Sequence, residues 1–273
     1  MACNHNCATC KDSSCKDRNA SLLVETAKEN KIKKIIGIVS GKGGVGKSSV
    51  TSLVAVNLAK KGYKVGIMDA DITGPSIPAA FGITEGLYGS GELMYPASTT
   101  LGIKVVSVNL LIDNPTTPVL LRGPVIGGMV KQFYTDVLWE ELDFLLIDMP
   151  PGTGDVALTI FQSLPIDSVV IVTTPQDLVA MIVGKAVNMC KKMNVNMLGL
   201  VENMSYIECS CCGEKLHPFG NSKLEEVAAM YEINALEALP INPDLANLID
   251  QGLIESVEAD VVNNTAEAII KLL

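Results

Sequence analysis

The residues with the most chemistry in this sequence fall into three groups. The first is Gly41-Lys42-Gly43-Gly44-Val45-Gly46-Lys47-Ser48, which fits the pattern G-x-x-x-x-G-K-[ST]. Its glycines let successive backbone N–H groups curl around a polyphosphate, and a helix beginning at its end adds positive potential. Lys47 has the charge to neutralise β- and γ-phosphates, and the Ser48 hydroxyl is a ligand type suited to Mg2+. The second group is acidic. Asp69 and Asp71 close one apolar run and Asp148 closes another. Asp148 is the natural partner of Mg2+ or of its bound water, and Asp69 or Asp71 is placed to orient an attacking water or to hold the metal. A lone aspartate at a strand end is commonly only a cap, but three beside a phosphate loop read as a site. Pro150-Pro151-Gly152-Thr153-Gly154-Asp155 follows directly, a glycine-hinged loop suited to a switch.

The third group is cysteine, which occupies 8 of the 273 positions. Cys209 and Cys212 have C-x-x-C spacing, which lets two thiolates converge on one metal or cluster. No second pair lies nearby, so a closed four-cysteine zinc site within this loop is excluded. Two chains meeting on a two-fold axis supply four thiolates, the number a [4Fe–4S] cluster takes. A redox disulfide or a zinc pair is the alternative. Cys3, Cys7, Cys10 and Cys15 lie in a polar N-terminal stretch with gaps of three, two and four residues. That stretch cannot bury a core, so metal ligation would have to order it, with a second cluster or zinc as the metal. His5 and His217 lie near these thiols and read as solvated bystanders, whereas Cys190 reads as a small core residue.

Positioning these groups takes an alternation of short apolar strands and helices. Residues 35–40 read as a buried strand, 48–61 as a helix and 65–68 as the next strand. Residues 144–148, 169–173 and 197–201 read as further buried strands, with a helix over 180–193. Strands apolar on both faces and separated by helices imply a doubly wound, mostly parallel α/β sheet. In such a sheet ligands bind beyond the carboxyl ends of the strands, where the glycine loop and the three aspartates fall. Five glycines make 81–102 loop-like. Residues 223–231 and 243–251 look helical, and 264–273 looks like a closing helix. The chain therefore divides into a cysteine-rich segment, 1–20, and one nucleotide-binding domain, 21–273.

Composition narrows the class. Apolar residues make up 48% of the chain, which excludes disorder, and the longest apolar runs fall far short of the roughly 20 residues of a membrane span. The net charge is −9, from 21 Lys and Arg against 30 Asp and Glu, which argues against nucleic acid as a partner. The N-terminus has no basic stretch followed by an apolar one, so a cytoplasmic location is expected, where clustered cysteines bind metal or carry redox chemistry.

Lys42 makes the pattern specific. Ser40-Gly41-Lys42-Gly43-Gly44-Val45-Gly46-Lys47-Ser48 resembles the deviant Walker A motif of the nitrogenase iron protein, MinD, ParA and Mrp group. In that group the lysine matching Lys42 reaches across a nucleotide-sandwich dimer to the partner's phosphates. The resemblance also adds Ser49 to the nucleotide-contacting loop. Asp69-Ala70-Asp71-Ile72-Thr73-Gly74-Pro75-Ser76-Ile77-Pro78 resembles the Mrp-type switch I. Leu121-Arg122-Gly123-Pro124, Asp148-Met149-Pro150-Pro151 and Glu202-Asn203-Met204-Ser205 are similar to Mrp motifs as well, and the likeness puts Asn203 against adenine. Together these motifs resemble the Mrp/ApbC-type iron–sulfur cluster carriers.

That resemblance implies an ATP hydrolase using ATP and Mg2+, and a homodimer that holds a [4Fe–4S] cluster for apo iron–sulfur client proteins. The family places a C-x-x-C pair where Cys209 and Cys212 stand, although this chain has Ser210 where proline is usual and an extra Cys211. Some relatives of the Nbp type carry an N-terminal four-cysteine segment, with a longer first gap. Two other functions of the wider group fit less well. A membrane- or DNA-positioning ATPase of the MinD or ParA kind needs a basic terminal helix or surface, and Glu267-Ala268-Ile269-Ile270-Lys271-Leu272-Leu273 has one lysine. An electron-transfer ATPase like the nitrogenase iron protein has its cysteines apart in the chain, and the adjacent pair here favours a carrier.

Overall fold

The computed structural model describes residues 22–72, 74, 76–90, 93–111, 123–176 and 179–273. Cys3, His5, Cys7, Cys10, Cys15, Thr73, Pro75, Leu121 and Arg122 lie outside the described residues, as does the expectation of a separate N-terminal segment.

The strand β1 (Lys31–Ser40) runs into α1 (Lys47–Lys60), and β2 (Val65–Asp69) is followed by the single-turn α2 (Ile77–Ala80). Next come β3 (Tyr88–Ser90), β4 (Leu93–Tyr95), β5 (Ala97–Ser98) and β6 (Lys104–Ser107). The middle of the chain forms α3 (Gly123–Thr135), β7 (Glu141–Asp148), α4 (Asp155–Ser163), β8 (Ser168–Thr173) and α5 (Val179–Met193). It closes with β9 (Asn196–Glu208), β10 (Lys215–Leu216), α6 (Leu224–Tyr231), β11 (Ala235–Pro240), α7 (Pro243–Asp250) and α8 (Asn263–Ile270).

Among the described residues nine strands share one sheet, in the order β10-β9-β8-β1-β7-β2-β6-β5, with β11 also paired to β9. Every pairing is parallel except the two at the edges, β5 with β6 and β9 with β10. Both faces are covered, as the all-apolar strands require. Alternate residues of β1 point to opposite sides. Ile35 and Val39 join a core with Ile126, Phe133, Ile160 and Val187, while Ile36 and Ile38 join another with Val54, Leu58, Ala266 and Ile269. Cys190 is fully buried in the first core, as its sequence position predicts, and burial pushes its thiol up to about 11.

The structure departs from the sequence reading in places where glycine or shortness hides the pattern. The stretch 81–102, read as loop, contains the small antiparallel hairpin of β3 and β4 and the two-residue β5. The helix α3 opens on Gly-Pro and carries Gly127 and Gly128, residues of low helix propensity. Gly127 is there for packing, because a Cβ on it would lie 2.9 Å from Cγ2 of Thr159 on α4. Glycine thus brings these two helices together at the cost of the local signal. The strand β9 runs to Glu208, well past the apolar run that ends at Val201. That extension carries the chain from the sheet to the cysteine pair.

Candidate nucleotide site and cysteine hairpin

The glycine loop sits at the carboxyl end of β1, flanked by β7 and β8. Gly44 and Gly46 both adopt the left-handed conformation, at φ 75°, which L side chains rarely accept. A Cβ on Gly44 would meet nothing within 4 Å, so this part of the loop faces open space. At Gly46 the reverse holds, since a Cβ would stand 2.2 Å from Nδ2 of Asn203. A cavity of about 250 Å3 lies over the loop, and Lys42, Lys47, Ser48, Asp71 and Pro151 line it. Lys42 itself donates to the Gln176 side chain, which follows β8.

Beneath the loop is a buried charge cluster. Lys47 Nζ lies 2.7 Å from Asp148 Oδ1 and 3.8 Å from Asp71 Oδ2. Thr51 donates to the same Asp148 oxygen at 2.9 Å, and the Ser48 hydroxyl donates to Oδ2 at 2.6 Å. Asp69 stands in register beside Asp148 on the neighbouring strand, and both are fully buried. Burial, with the charge of Asp148 second, raises the Asp69 carboxyl to about 8, although Ser107, Lys47 and the Asp71 N–H oppose the shift. Burial thus favours the neutral form of Asp69, which accepts from Ser107 at 3.0 Å and from the Asp71 backbone at 3.2 Å.

This separates the two acids that the sequence left as equals. Asp71 borders the cavity, whereas Asp69 is packed below it against Ser107. Asp71, Asp148 and the Ser48 hydroxyl offer oxygen donors only, the set that suits a hard cation such as Mg2+. No three acidic, cysteine or histidine side chains converge as a metal site among the described residues. Such a cation would thus complete its shell with water and phosphate oxygens, as Mg2+ commonly does.

A second cavity of about 200 Å3 adjoins the first, and Gly46 and Ser49 line both. Its walls include Val50, Leu239, Leu245 and Asn203. A ligand with an anionic tail and a flat, largely apolar head fits this pair of cavities. Asn203 Nδ2 donates to the carbonyl of Val45 at 2.9 Å, so it braces the phosphate loop and borders the second cavity at once.

The cysteine pair sits on the hairpin formed by the end of β9 and β10, where Glu208 and Ile207 pair with Lys215 and Leu216. Cys209 is half-buried, Cys211 and Cys212 are exposed, and all three are free thiols. The backbone N–H of Cys211, then that of Cys212, lowers the pKa of Cys209 by favouring its thiolate. The turn is closed by Cys209 N–H to Glu214 O at 2.9 Å and Gly213 N–H to Cys209 O at 2.8 Å. One chain brings these thiols to the surface, and they form no three-ligand group among the described residues. Thr51, Ser107 and Gln176 stand out in no sequence pattern, Glu202 is found only as part of the motif that holds Asn203, and His217 reads as a bystander. His217 in fact bonds through Nδ1 to the carbonyl of Ser205 at 3.0 Å. Thr51, Ser107, Gln176 and His217 belong to no short motif, and their contacts are made only when segments apart in the chain fold together.

A parallel sheet with a glycine loop at its central strand, a lysine paired to a buried aspartate below and a second lysine within the loop defines a P-loop NTPase of the ParA and MinD class. A family model described as ParA, NUBPL iron-transfer P-loop NTPase, matches residues 31–273, and the chain belongs to that family. It is 51% identical over 237 residues to a Clostridium perfringens protein named iron–sulfur cluster carrier protein, covering 84% of this chain and 83% of that one. A protein of the same name from Methanocaldococcus jannaschii is 42% identical over 259 residues, covering 92% and 89%. Among solved structures, an Archaeoglobus fulgidus nucleotide-binding protein in complex with ADP aligns with a TM-score of 0.74 and 46% identity, covering 82% of this chain and 88% of that one. The Pyrococcus furiosus cell division ATPase MinD shares the fold, at a TM-score of 0.59 and 22% identity, covering 88% and 100%. No helix among the described residues is long and apolar enough to cross a membrane.

Proposed function

We propose that the protein is an ATP-dependent iron–sulfur cluster carrier of the cytosol, a homodimer that holds a [4Fe–4S] cluster between its two cysteine hairpins and passes it to apo client proteins. The observation that carries this reading is that one strand, β9, bears Asn203 at the nucleotide cavity and leads directly into the turn that carries the free thiols Cys209 and Cys212. One chain offers a pair of thiols and a cluster takes four, so a second copy supplies the rest. The names of the relatives at 51% and 42% identity support the same cargo. Neither nucleic acid nor membrane enters this reading.

The loop Gly41, Lys42, Gly43, Gly44, Val45, Gly46, Lys47, Ser48 and Ser49 would hold the phosphates of ATP, and Asn203 would border the adenine. Ser48, Asp71 and Asp148 would hold Mg2+, which when bound draws charge from the phosphate oxygens. Lys47 neutralises the β- and γ-phosphates, and Asp148 and Thr51 keep its side chain aimed. Asp71 accepts a hydrogen bond from the attacking water. A water oxygen bonds to the γ-phosphorus as the bridge to the β-phosphate breaks, leaving ADP, phosphate and a proton. Lys42 completes the partner's site in the dimer, and Asp69 supports Asp71 through its backbone without touching the nucleotide. Cys3, Cys7, Cys10 and Cys15 would form a second cluster site in a segment of their own, 1–20.

Transfer is the direct test. Anaerobically reconstituted protein should activate an apo iron–sulfur acceptor, and replacing Cys209 and Cys212 with serine should abolish that activation. Transfer that survives both substitutions would overturn the reading.

A further inference from the structure

Four consecutive residues, Glu202 to Ser205, touch both the phosphate loop and the base of the cysteine hairpin. Asn203 fills the space that a Cβ at Gly46 would need and donates to Val45 O, so it is in direct contact with the loop. Its Oδ1 accepts from the next residue's N–H, that of Met204, at 2.9 Å. Met204 lies inside a strand yet adopts the left-handed conformation at φ 59°, a strained choice for a side chain of this kind. The pairing of β9 with β11 also loses its regular register at this point.

Beyond Met204, the strand is held by two side chains. Glu202 is fully buried, and its carboxylate accepts from the Ser205 hydroxyl at 2.7 Å and from the Lys223 N–H at 3.1 Å. His217 bonds through Nδ1 to the Ser205 carbonyl at 3.0 Å. A carbonyl only accepts, so Nδ1 carries the proton and the tautomer is fixed. Between these points the hairpin has two residue pairs, the turn bonds at Cys209 and the Lys215 ammonium 4.1 Å from the centre of the Tyr206 ring, whose residue also accepts from Ile241 N–H at 2.7 Å and faces the His217 ring at 6.3 Å. Its return arm is therefore fastened to the body at His217, and the start of α6 at Glu202. Both fastenings end on the tetrapeptide that braces the phosphate loop.

We infer that His217 is a positioning residue, which couples the nucleotide state at Asn203 to the cysteine hairpin through the Ser205 carbonyl, with buried Glu202 as the anchor. The inference rests on the carrier reading above. A change in the phosphate loop moves Asn203, the strained Met204 passes the change to Ser205, and the His217 bond carries it to the arm of the hairpin. The Cys209 and Cys212 thiolates then meet those of the partner differently, which alters how firmly the cluster is held. Without the His217 bond the hairpin still presents its thiols, but it no longer follows the loop.

The test uses full-length dimer reconstituted anaerobically, and reads the rate at which an iron chelator strips the cluster with and without ATP. The wild type should show rates differing by at least about five-fold, the lower end of ordinary coupling between sites. His217→Ala should bind the same iron per chain and keep the wild-type rate of ATP hydrolysis, with the ratio of stripping rates falling to about one. His217→Asn, whose amide N–H can replace Nδ1–H, should restore the wild-type ratio. A wild-type ratio retained in His217→Ala would overturn the inference, as would loss of iron from that variant, failure of His217→Asn to rescue, or a wild-type ratio near one. A wild-type protein that binds no cluster would instead refute the carrier reading on which the inference stands.

Discussion

Lys47 and Asp148 form a buried ion pair at 2.7 Å, with side chains 5% and 0% exposed, at the point where the phosphate loop meets the end of β7. Thr51 shares the same carboxylate oxygen and Ser48 bonds to the other, so one aspartate holds the start of α1 in place and keeps one lone pair of Oδ2 open. Removing one partner of such a pair leaves an uncompensated charge. Asp148→Asn should lower stability by about 3 kcal/mol and reduce ATP turnover by at least about 100-fold. Urea unfolding and phosphate release measure the two effects.

Asp71 and Asp69 should behave differently in spite of their closeness in sequence. Asp71→Asn, at the cavity wall, should reduce kcat by about 100-fold with little change in KM. Asp69→Asn should retain kcat within about three-fold, because the side chain lies below the cavity and burial favours its neutral form. Steady-state kinetics on both variants makes the comparison.

The raised Asp69 pKa also predicts a pH dependence of stability. The folded chain binds this proton more tightly than the unfolded chain, with a pKa of about 8 against an ordinary value of 3.8. Its contribution is full below the ordinary carboxylate range and is lost as pH rises through 8. The urea midpoint of nucleotide-free wild type should therefore fall between pH 6 and pH 9 more steeply than that of Asp69→Asn. Equal slopes would contradict the assignment.

Gly46 carries two demands, a positive φ and room for Asn203. Gly46→Ala should be destabilised by about 2 kcal/mol or more and lose nucleotide affinity. Introducing Asn203→Ala as well should recover the part due to the clash and leave the part due to φ. Thermal unfolding of the two single variants and the double variant separates the contributions.

Much of this site was legible in the sequence because it is local. The phosphate loop is eight consecutive residues, and the buried parallel strands announce themselves as β-branched runs such as Val169 to Val172. Asp69, Asp71 and Asp148 were found because strand ends in a parallel sheet converge. What could not be read depends on packing between distant segments. The depth that separates Asp69 from Asp71 comes from Ser107, 38 residues away. The helix α3 was hidden by Gly127, whose reason is Thr159 on another helix. His217 looked like a bystander because its partner is a backbone carbonyl 12 residues earlier, which no side-chain pattern records.

The carrier reading requires Cys209 and Cys212 from two chains to share one cluster. The direct measurement is an anaerobic iron and sulfide count, with visible absorbance and mass in solution, on protein lacking residues 1–20. A shared cluster gives a dimer with about two iron atoms per chain and [4Fe–4S] absorbance, both lost in Cys209→Ser/Cys212→Ser and retained in Cys211→Ser. A cluster that persists without Cys209 and Cys212, or a full cluster on each monomer, would contradict it.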